Sequence, residues 1–459
     1  MKKHILTSFV MFVAVAVSAQ TLTPEFVQNL RSSYQATPQD IAVRNAVGKV
    51  DMKTLVQNQE SLDGYFDTHF TYRVPQKGIP DQKQSGRCWL FSGLNILRAG
   101  MRKAHPDMGD FTFSQSYLFF YDQLEKSNLF LQSVIDTRKL PMDDRQVSHL
   151  FHNPISDGGT YTGVTDLVKK YGLVPSEVMH ETFSANNTSR LAYVLRLKLR
   201  EYGLELREMK GLEKQLIARK EEQLKTIYRI LCLTLGQPPV EFTWQERNSN
   251  DSVLSTETYT PLSFAEKYAS KSTLNDYVMF MNDPSREYYK VYEIDLDRHV
   301  YEGHNWLYLN VPIEDMQQMA IASLKDSTAM YTGSDVGKEL DSERGYLSLG
   351  NYDYASLLGI DFPMDKRQRV MTFDSGSSHA MTLVAVDLKD DKPVKWMVEN
   401  SWGANHGYKG HLIMTDEWFR EYMFRLVVET KYIPENLKAL LNQKPIRLPA
   451  WDPMFQSED

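Results

Sequence analysis

The sequence predicts an α+β protein in which a mainly helical part precedes a β-rich part. Two observations carry this prediction. Residues 113–240 are helical in pattern, and Leu191, Leu195 and Leu199 show the spacing of one helix face. The C-terminal third instead contains β-rich runs separated by turns, at residues 379–388, 394–400 and 410–415. Helices first and strands later, arranged around one site, are typical of an α+β fold.

The first residues have the pattern of a secretory signal peptide. Lys2 and Lys3 precede an apolar run from Ile5 to Val17, and Val17-Ser18-Ala19 stand before Gln20. A positive start, a short apolar run and small residues at positions −3 and −1 define such a signal. We therefore predict a signal peptide over residues 1–19, export to the periplasm or the extracellular space, and no membrane attachment after cleavage. An uncleaved N-terminal anchor is the alternative.

The charge of the chain argues against a nucleic-acid partner. The 459 residues carry a formal charge of −7, and the chain after residue 19 has 50 basic and 59 acidic residues. The segment 190–229 has a local basic excess, with 11 Lys and Arg against 6 Glu. We interpret it as a solvated helix or helical pair with charge pairing at (i, i+4) spacing rather than a nucleic-acid face.

Two cysteines, Cys88 and Cys232, occur in the chain. A cysteine at the position of Cys88 is compatible with a nucleophile, half of a disulfide, a metal ligand or a buried small residue. Cys232 lies in the apolar segment YRILCLTLG, which predicts a buried structural thiol. Cys88 is then unpaired, and an unpaired cysteine in an exported protein favours a reactive role.

A helix is predicted to begin at Cys88. The segment 88–103 places apolar residues at helical spacing, and Ser85 and Gly86 precede it as cap and turn residues. In the first turn of a helix, unsatisfied backbone N–H groups and the positive end of the helix dipole stabilise a thiolate. Arg87 would add a nearby positive charge.

His379 and Asn400 are the predicted partners of this thiol. His379 opens one β-rich run and Asn400 ends the next, with the polar turn LKDDKP between them. In an antiparallel hairpin the two side chains would lie nearly opposite each other. The Asn400 side-chain oxygen can then accept from one ring nitrogen and leave the other for Cys88. Trp402 is predicted to cover that hydrogen bond, exclude water and border the substrate.

Gln82 is the predicted oxyanion donor. It lies six residues before Cys88, across the turn KQSGR. Its side-chain amide can lie beside the backbone N–H of Cys88, and the two donors together would form an oxyanion hole. Cys88, His379, Asn400 and Gln82 are therefore the predicted catalytic residues of a thiol-dependent hydrolase.

At these residues the sequence resembles the papain-like cysteine peptidases, and specifically the bleomycin hydrolase / aminopeptidase C branch. QKQSGRCWLFS is similar to the nucleophile segment of that family, HAM to its histidine segment and ENSWG to its asparagine segment. Cys88 and His379 are 291 residues apart, against about 130–150 in most papain-like sequences. The resemblance extends roughly from residue 65 to residue 454 and includes the terminal LPAWDPM.

The resemblance implies a two-lobed papain-like fold, with the cysteine on a helical lobe and the histidine and asparagine on a β-rich lobe. It assigns the roles of nucleophile, general base, orienting residue and oxyanion donor to Cys88, His379, Asn400 and Gln82. It also implies a single peptidase domain over residues 20–459, homohexameric assembly and aminopeptidase activity. Within that domain we predict an N-terminal arm over about 20–80, large helical insertions over about 113–330 and a C-terminal arm over about 445–459.

In that branch the terminal carboxylate meets the α-amino group of the substrate, which makes Asp459 a predicted substrate-binding residue. Family members are generally cytoplasmic and end in small apolar residues, whereas this chain opens with an export signal and ends in FQSED. The predicted function is therefore an exported cysteine aminopeptidase acting on peptides. The alternatives are a dipeptidyl peptidase or endopeptidase of the same fold and, from another class, a hexameric nucleic-acid-binding protein.

No cofactor and no metal site are predicted. His149 and His152 form a close histidine pair, but no third ligand cluster lies near them in the sequence. Asn186 and Asn187 begin acceptor-like Asn-X-Ser/Thr triplets, and their glycosylation stays open.

Overall fold

The computed structural model describes residues 21–64, 67–76, 78–269, 274–452 and 454. The predicted signal peptide, residues 1–19, and the predicted substrate-binding residue Asp459 lie outside this part of the chain. Within it, no helix is both long enough and apolar enough to cross a membrane.

Helices occupy most of the chain between residues 24 and 235 and recur as shorter elements afterwards. They are α1 Pro24–Ser33, α2 Pro38–Val47, α3 Met52–Leu55, α4 Gln59–Asp63, α5 Cys88–Ala104, α6 Gln115–Asp136, α7 Arg145–His152, α8 Tyr161–Tyr171, α9 Phe183–Asn186, α10 Ser189–Glu208, α11 Glu213–Leu235, α12 Pro261–Tyr268, α13 Ile313–Lys325, α14 Tyr354–Leu358, α15 Lys366–Met371, α16 Asp416–Tyr422 and α17 Glu435–Lys438. Short 3₁₀ turns follow at Thr430–Tyr432 and Ala439–Asn442.

The strands form one large mixed sheet and one separate hairpin. They are β1 Tyr72–Arg73, β2 Phe242–Arg247, β3 Val253–Tyr259, β4 Tyr277–Met281, β5 Val291–Ile294, β6 Leu307–Asn310, β7 Met330–Ser334, β8 Leu340–Asp341, β9 Tyr346–Leu347, β10 His379–Lys389, β11 Lys392–Glu399, β12 His411–Thr415, β13 Met423–Glu429 and β14 Ile446–Leu448. The order in the large sheet is β14-β5-β6-β4-β13-β7-β10-β11-β12-β9-β8, with β1 also paired to β10. The second sheet is the β2–β3 hairpin.

Strands β10 and β11 form the antiparallel hairpin that the sequence predicts. The two residues between them, Asp390 and Asp391, both have positive φ angles (50° and 59°), as a two-residue turn of a right-twisted hairpin requires. The first eight residues of β10 are all buried, because the strand lies between β7 and β11 and helix α5 packs on it. Six of these eight residues are apolar, and His379 and Thr382 are the exceptions.

Helix α5 joins the helical layer to the large sheet. The predicted apolar face is buried in full, with each member at most 2% exposed: Trp89, Leu90, Leu94, Leu97 and Met101. The helix packs on β10 and β7 and also on helices α6 and α8, while α10 and α11 pack on α6. The α+β prediction is thus confirmed, with α5 at the junction between the helices and the strands.

The prediction of a helical stretch over residues 113–330 is wrong in its second half. The succession of long helices ends at Leu235, and strands β2 to β6 follow between residues 242 and 310, with the short helix α12 among them. In β2 every second residue from Phe242 is turned inward, and Phe242 and Trp244 are buried. Strands β4 to β6 are mainly apolar runs of four or five residues, a length at which periodicity alone does not separate a strand from a buried helix.

The described chain divides into two units. The first contains the described residues of Met1–Asp63 together with Tyr352–Phe362, and the second contains those of Gly64–Asn351 and Pro363–Asp459. In the first unit, side chains cap the N-termini of α1 to α3, and the Asp353 N–H donates to Val56 O (2.6 Å). All the residues discussed below as a site belong to the second unit.

Candidate active site

Cys88 is the first residue of α5 and faces a cavity of about 940 Å³. The same cavity is lined by Ser378 and Ala380, the two neighbours of His379. A hydrogen bond from Ser92 Oγ to Ala380 O (2.9 Å) ties the helix to the start of β10. The helix and the strand therefore bring the thiol and the histidine segment, 291 residues apart in sequence, to one cavity.

The positive charge of Arg87, predicted to lie near the sulfur, is paired with a carboxylate. Its fully buried guanidinium donates two hydrogen bonds to Glu181 (3.2 and 2.8 Å), so its charge is neutralised locally. The predicted cap at Ser85 and Gly86 is also wrong, because Arg87 occupies the N-cap position and no side chain caps the helix. What remains near Cys88 is the N-terminal end of α5, whose first backbone N–H groups have no partner within the helix.

His379 and Asn400 are joined by a hydrogen bond. His379 Nε2 and Asn400 Oδ1 are 2.9 Å apart, and both residues are buried. An amide oxygen only accepts, so Nε2 carries the proton and Nδ1 is the nitrogen left for a second partner. The strand register pairs Thr382 with Glu399, so Asn400 lies diagonally across the hairpin from His379 rather than directly opposite it, still within reach.

Trp402 packs on the histidine, as the sequence predicts. The ring centroids of His379 and Trp402 are 5.1 Å apart, with an angle of 36° between the planes. The Asn400 oxygen also accepts from the backbone N–H of Ser401 (2.8 Å), which fixes the orientation of the amide. The indole and this second hydrogen bond hold the imidazole in one orientation and shield it from water.

Gln82 is buried and held at both ends of its amide. Ser401 Oγ donates to Gln82 Oε1 (2.5 Å), and Gln82 Nε2 donates to Ser85 O (2.6 Å). The Gln82 backbone N–H also donates to Ser401 O (2.8 Å), so the segment of Asn400 and the segment of Cys88 share a direct contact. This network leaves one Nε2 hydrogen uncommitted, which is the donor that an oxyanion requires.

Two features of the site carry no local sequence signal. The carboxylate of Asp157 accepts from the backbone N–H of Gly86 (2.8 Å), two residues before Cys88. The backbone N–H of Ser377, two residues before His379, donates to Met454 O (3.1 Å). Asp157 begins the segment DGGTY and Ser377 belongs to DSGSS, and both segments read as plain turns in the sequence.

The other candidates have structural surroundings. Cys232 is half-buried, packs against the core and is outside any disulfide. Among the described residues, no group of three or more His, Cys, Asp and Glu could hold a metal ion. In the basic segment 190–229, Arg219 pairs with Glu205 (2.6 Å), and Arg196 donates to a backbone carbonyl of the cavity wall. The interpretation of that segment as a charge-paired helical pair agrees with these contacts.

The fold and these contacts define a papain-like cysteine peptidase. The chain belongs to the Peptidase C1-like family, whose family model matches residues 21–455. Bleomycin hydrolase of Rattus norvegicus is 37% identical over 447 residues, which cover 94% of this chain and 98% of the relative. Aminopeptidase G of Lactobacillus delbrueckii subsp. lactis is 38% identical over 437 residues, with coverage of 94% and 98%.

A solved structure gives the same result for the fold. The crystal structure of PepW from Lactobacillus rhamnosis is similar with a TM-score of 0.90 and 35% identity, over 95% of this chain and 99% of the other. The predicted papain-like fold and the predicted family are therefore confirmed.

Proposed function

We propose that the protein is an exported cysteine aminopeptidase with Cys88 as nucleophile and His379 as general acid and base. The Cys88 thiolate attacks the carbonyl carbon of the first peptide bond, and the Gln82 amide with the Cys88 N–H holds the oxyanion. His379 protonates the leaving amine, which leaves a thioester on Cys88. His379 then takes a proton from the water that hydrolyses this thioester, while Asn400 keeps the ring in the productive orientation.

The observation that carries the aminopeptidase mode is the position of Met454. It is fully buried, its carbonyl oxygen is bonded to Ser377 beside His379, and Ala450 lines the same cavity as Cys88. The sequence continues with Phe455–Asp459. A C-terminal arm held at the cavity through Ala450 and Met454 would limit how far a peptide can extend past Cys88. An acidic end also attracts the α-ammonium group of a substrate.

Two properties are supported by other observations. Export rests on the signal-peptide pattern of residues 1–19. Homohexameric assembly rests on the resemblance to the bleomycin hydrolase branch. Fractionation of cells that express the full-length chain, with antibody detection of the protein, tests export. Sedimentation of the purified protein tests the hexamer.

The positional mode is tested with matched peptides that carry a free or an acetylated N-terminus. We expect cleavage of the free peptides one residue at a time and little cleavage of the acetylated ones. Deletion of Phe455–Asp459 should raise the cleavage of acetylated peptides. Cys88→Ala should abolish turnover of all of them, whereas Cys232→Ala, which removes the half-buried thiol outside the cavity, should leave turnover intact.

Each other outcome identifies a different enzyme. Release of dipeptides indicates a dipeptidyl peptidase, and equal cleavage of acetylated peptides by the intact chain indicates an endopeptidase. Turnover retained by Cys88→Ala contradicts the assignment of the nucleophile.

A further inference from the structure

One wall of the substrate cavity is the segment Ser156–Thr160, whose backbone is held by side chains from three other segments. The carbonyls of Ser156, Asp157 and Gly158 all accept hydrogen bonds from side chains. The donors are Gln123 Nε2 to Ser156 O (3.0 Å), Lys126 Nζ to Ser156 O (3.1 Å) and to Gly158 O (2.6 Å), and Trp89 Nε1 to Asp157 O (2.8 Å). The wall is thus anchored to α6 and to the residue that follows Cys88.

His299 provides the contact at the other end of this wall. The Thr160 backbone N–H donates to His299 Nε2 (3.2 Å), and His299 Nδ1 is 2.5 Å from Asp122 Oδ1. Because a backbone amide only donates, Nε2 must be unprotonated, and Nδ1 carries the proton that is donated to Asp122. Both side chains are buried. Burial lowers the pKa of His299, which favours the same neutral ring.

The ring of His299 also fits closely between the wall and the nucleophile helix. A Cβ atom added to Gly159 or to Gly163 would lie 2.2 Å from a ring atom, so neither position has room for a side chain. On the other side, the ring centroid is 4.5 Å from that of Trp89. Gly158, in contrast, has open space where a Cβ would stand, and it lines the cavity. At Gly158 the wall therefore presents bare backbone to the cavity, and at Gly159 it packs directly on the imidazole of His299.

We propose that His299, oriented by Asp122, is a positioning residue that holds the Ser156–Thr160 wall in place for peptide binding. Its ring lines the same cavity as Cys88, and we assign it no part in the reaction at the thiol or the carbonyl. Its contribution is to substrate affinity, because the wall that it supports borders the bound peptide while Cys88 and His379 are fixed by other contacts. This inference rests on the proposed peptidase function, which supplies the substrate.

Three substitutions at His299 separate its two hydrogen bonds. His299→Gln keeps an acceptor near the Nε2 position for Thr160, His299→Asn keeps a donor near the Nδ1 position for Asp122, and His299→Ala removes both. Each variant is assayed for KM and kcat on a peptide with a free N-terminus. The rate at which iodoacetamide inactivates each variant measures Cys88 independently of substrate, and the Tm reports folding. His304→Asn is the matched control, since His304 makes the same Nδ1 contact with Asp166 (2.9 Å) but is exposed and outside the cavity.

We expect His299→Asn and His299→Ala to raise KM about ten-fold, because the buried Thr160 N–H loses its acceptor. His299→Gln should stay within about three-fold of the native KM. The iodoacetamide rate should be unchanged in all three, and His304→Asn should match the native protein in every measurement.

Two results would overturn the inference while the proposed function stands. One is an unchanged KM in His299→Asn and His299→Ala. The other is an iodoacetamide rate that falls to the same extent as kcat, which would mean that the substitution acts on Cys88 itself. If the native protein turns over no peptide, the proposed function fails instead, and this is seen before any variant is compared.

Discussion

Arg98 Nη2 donates to Glu399 Oε1 at 2.6 Å, and this ion pair is buried at both ends. Arg98 lies on the helix that begins with Cys88, and Glu399 directly precedes Asn400. The pair therefore links the element that carries the thiol to the strand that carries the orienting amide. Arg98 Nη1 also donates to Gly78 O (3.0 Å), which adds a third segment to the link.

The first prediction concerns the pH dependence of stability that this pair creates. Burial raises the pKa of Glu399 to about 7, in spite of the opposing effect of Arg98. The ordinary pKa of a Glu side chain is 4.5. Between pH 4.5 and pH 7, the folded chain therefore binds more protons at this site than the unfolded chain does. The contribution of Glu399 to the free energy of unfolding should therefore fall as the pH rises through this range, by about 3 kcal/mol.

Urea unfolding of the native chain and of Glu399→Gln at several pH values measures this contribution. Gln resembles the protonated carboxyl and does not titrate. The free energy of unfolding of the native chain minus that of the variant should fall between pH 4.5 and 7 and be level below that range. If this difference in the free energy of unfolding is level at all pH values, or rises with pH, then the ion pair with Arg98 and not burial determines the pKa of Glu399.

A second prediction follows from the fixed orientation of Gln82. Ser401 Oγ holds Oε1 and Ser85 O holds one Nε2 hydrogen, so the second Nε2 hydrogen is the donor that we propose for the oxyanion. Gln82→Glu replaces that donor with an oxygen of similar shape and should lower kcat about 10²–10³-fold. Ser401→Ala removes only the contact that orients the amide, and we expect a smaller loss in kcat. Steady-state kinetics on one aminoacyl amide compares the two, and an equal loss in both would contradict a direct role of the Gln82 amide.

Local sequence patterns were sufficient for the elements that position the site. Helix α5 and the β10–β11 hairpin were predictable because apolar spacing of about 3.6 residues and long runs of β-forming residues are properties of short segments. The pairing of His379 with Asn400 was predictable because the midpoint between the two residues falls in the polar turn LKDDKP. A direct pairing of the two residues needs a turn centred one residue earlier than the turn of the structure, which is centred between Asp390 and Asp391, while the irregularities in pairing at Leu383/Ala385 and Asp387/Leu388 cancel each other.

Contacts between distant segments were beyond the reach of these patterns. The sequence predicts that Arg87 adds a positive charge near Cys88, yet its guanidinium pairs with Glu181, 94 residues away in sequence. Asp122 and His299 are 177 residues apart, and nothing near either one predicts a buried pair. In the same way, strands β4 to β6 were missed because each is four or five residues long, and the large sheet rather than local periodicity determines their structure.

The C-terminal arm is held by a partly buried ion pair shortly before it reaches the site. Arg286 Nη2 bonds to Asp452 Oδ2, and Arg286 Nε is 2.9 Å from Asp283 Oδ2. Asp452 and Asp283 are buried, and Asp452 Oδ1 accepts from the Met454 N–H (3.2 Å). The pair thus fixes the residue whose carbonyl is bonded beside His379.

The third prediction is that Asp452→Ala loosens the arm without affecting the nucleophile. The loss of one partner leaves the half-buried Arg286 guanidinium without that carboxylate, which costs more than the loss of an exposed pair. If the arm limits the length of the bound peptide, its release should raise kcat/KM for acetylated relative to free peptides about ten-fold. Arg447 lies on the same arm and forms an exposed pair with Asp295 (2.7 Å), which follows β5, and this pair gives the control. Arg447→Ala should leave the ratio unchanged, because exposed ion pairs contribute little.

An unchanged ratio in Asp452→Ala, with native Tm and native iodoacetamide reactivity, would mean that the arm is held mainly by its other contacts, such as that of Met454 with Ser377.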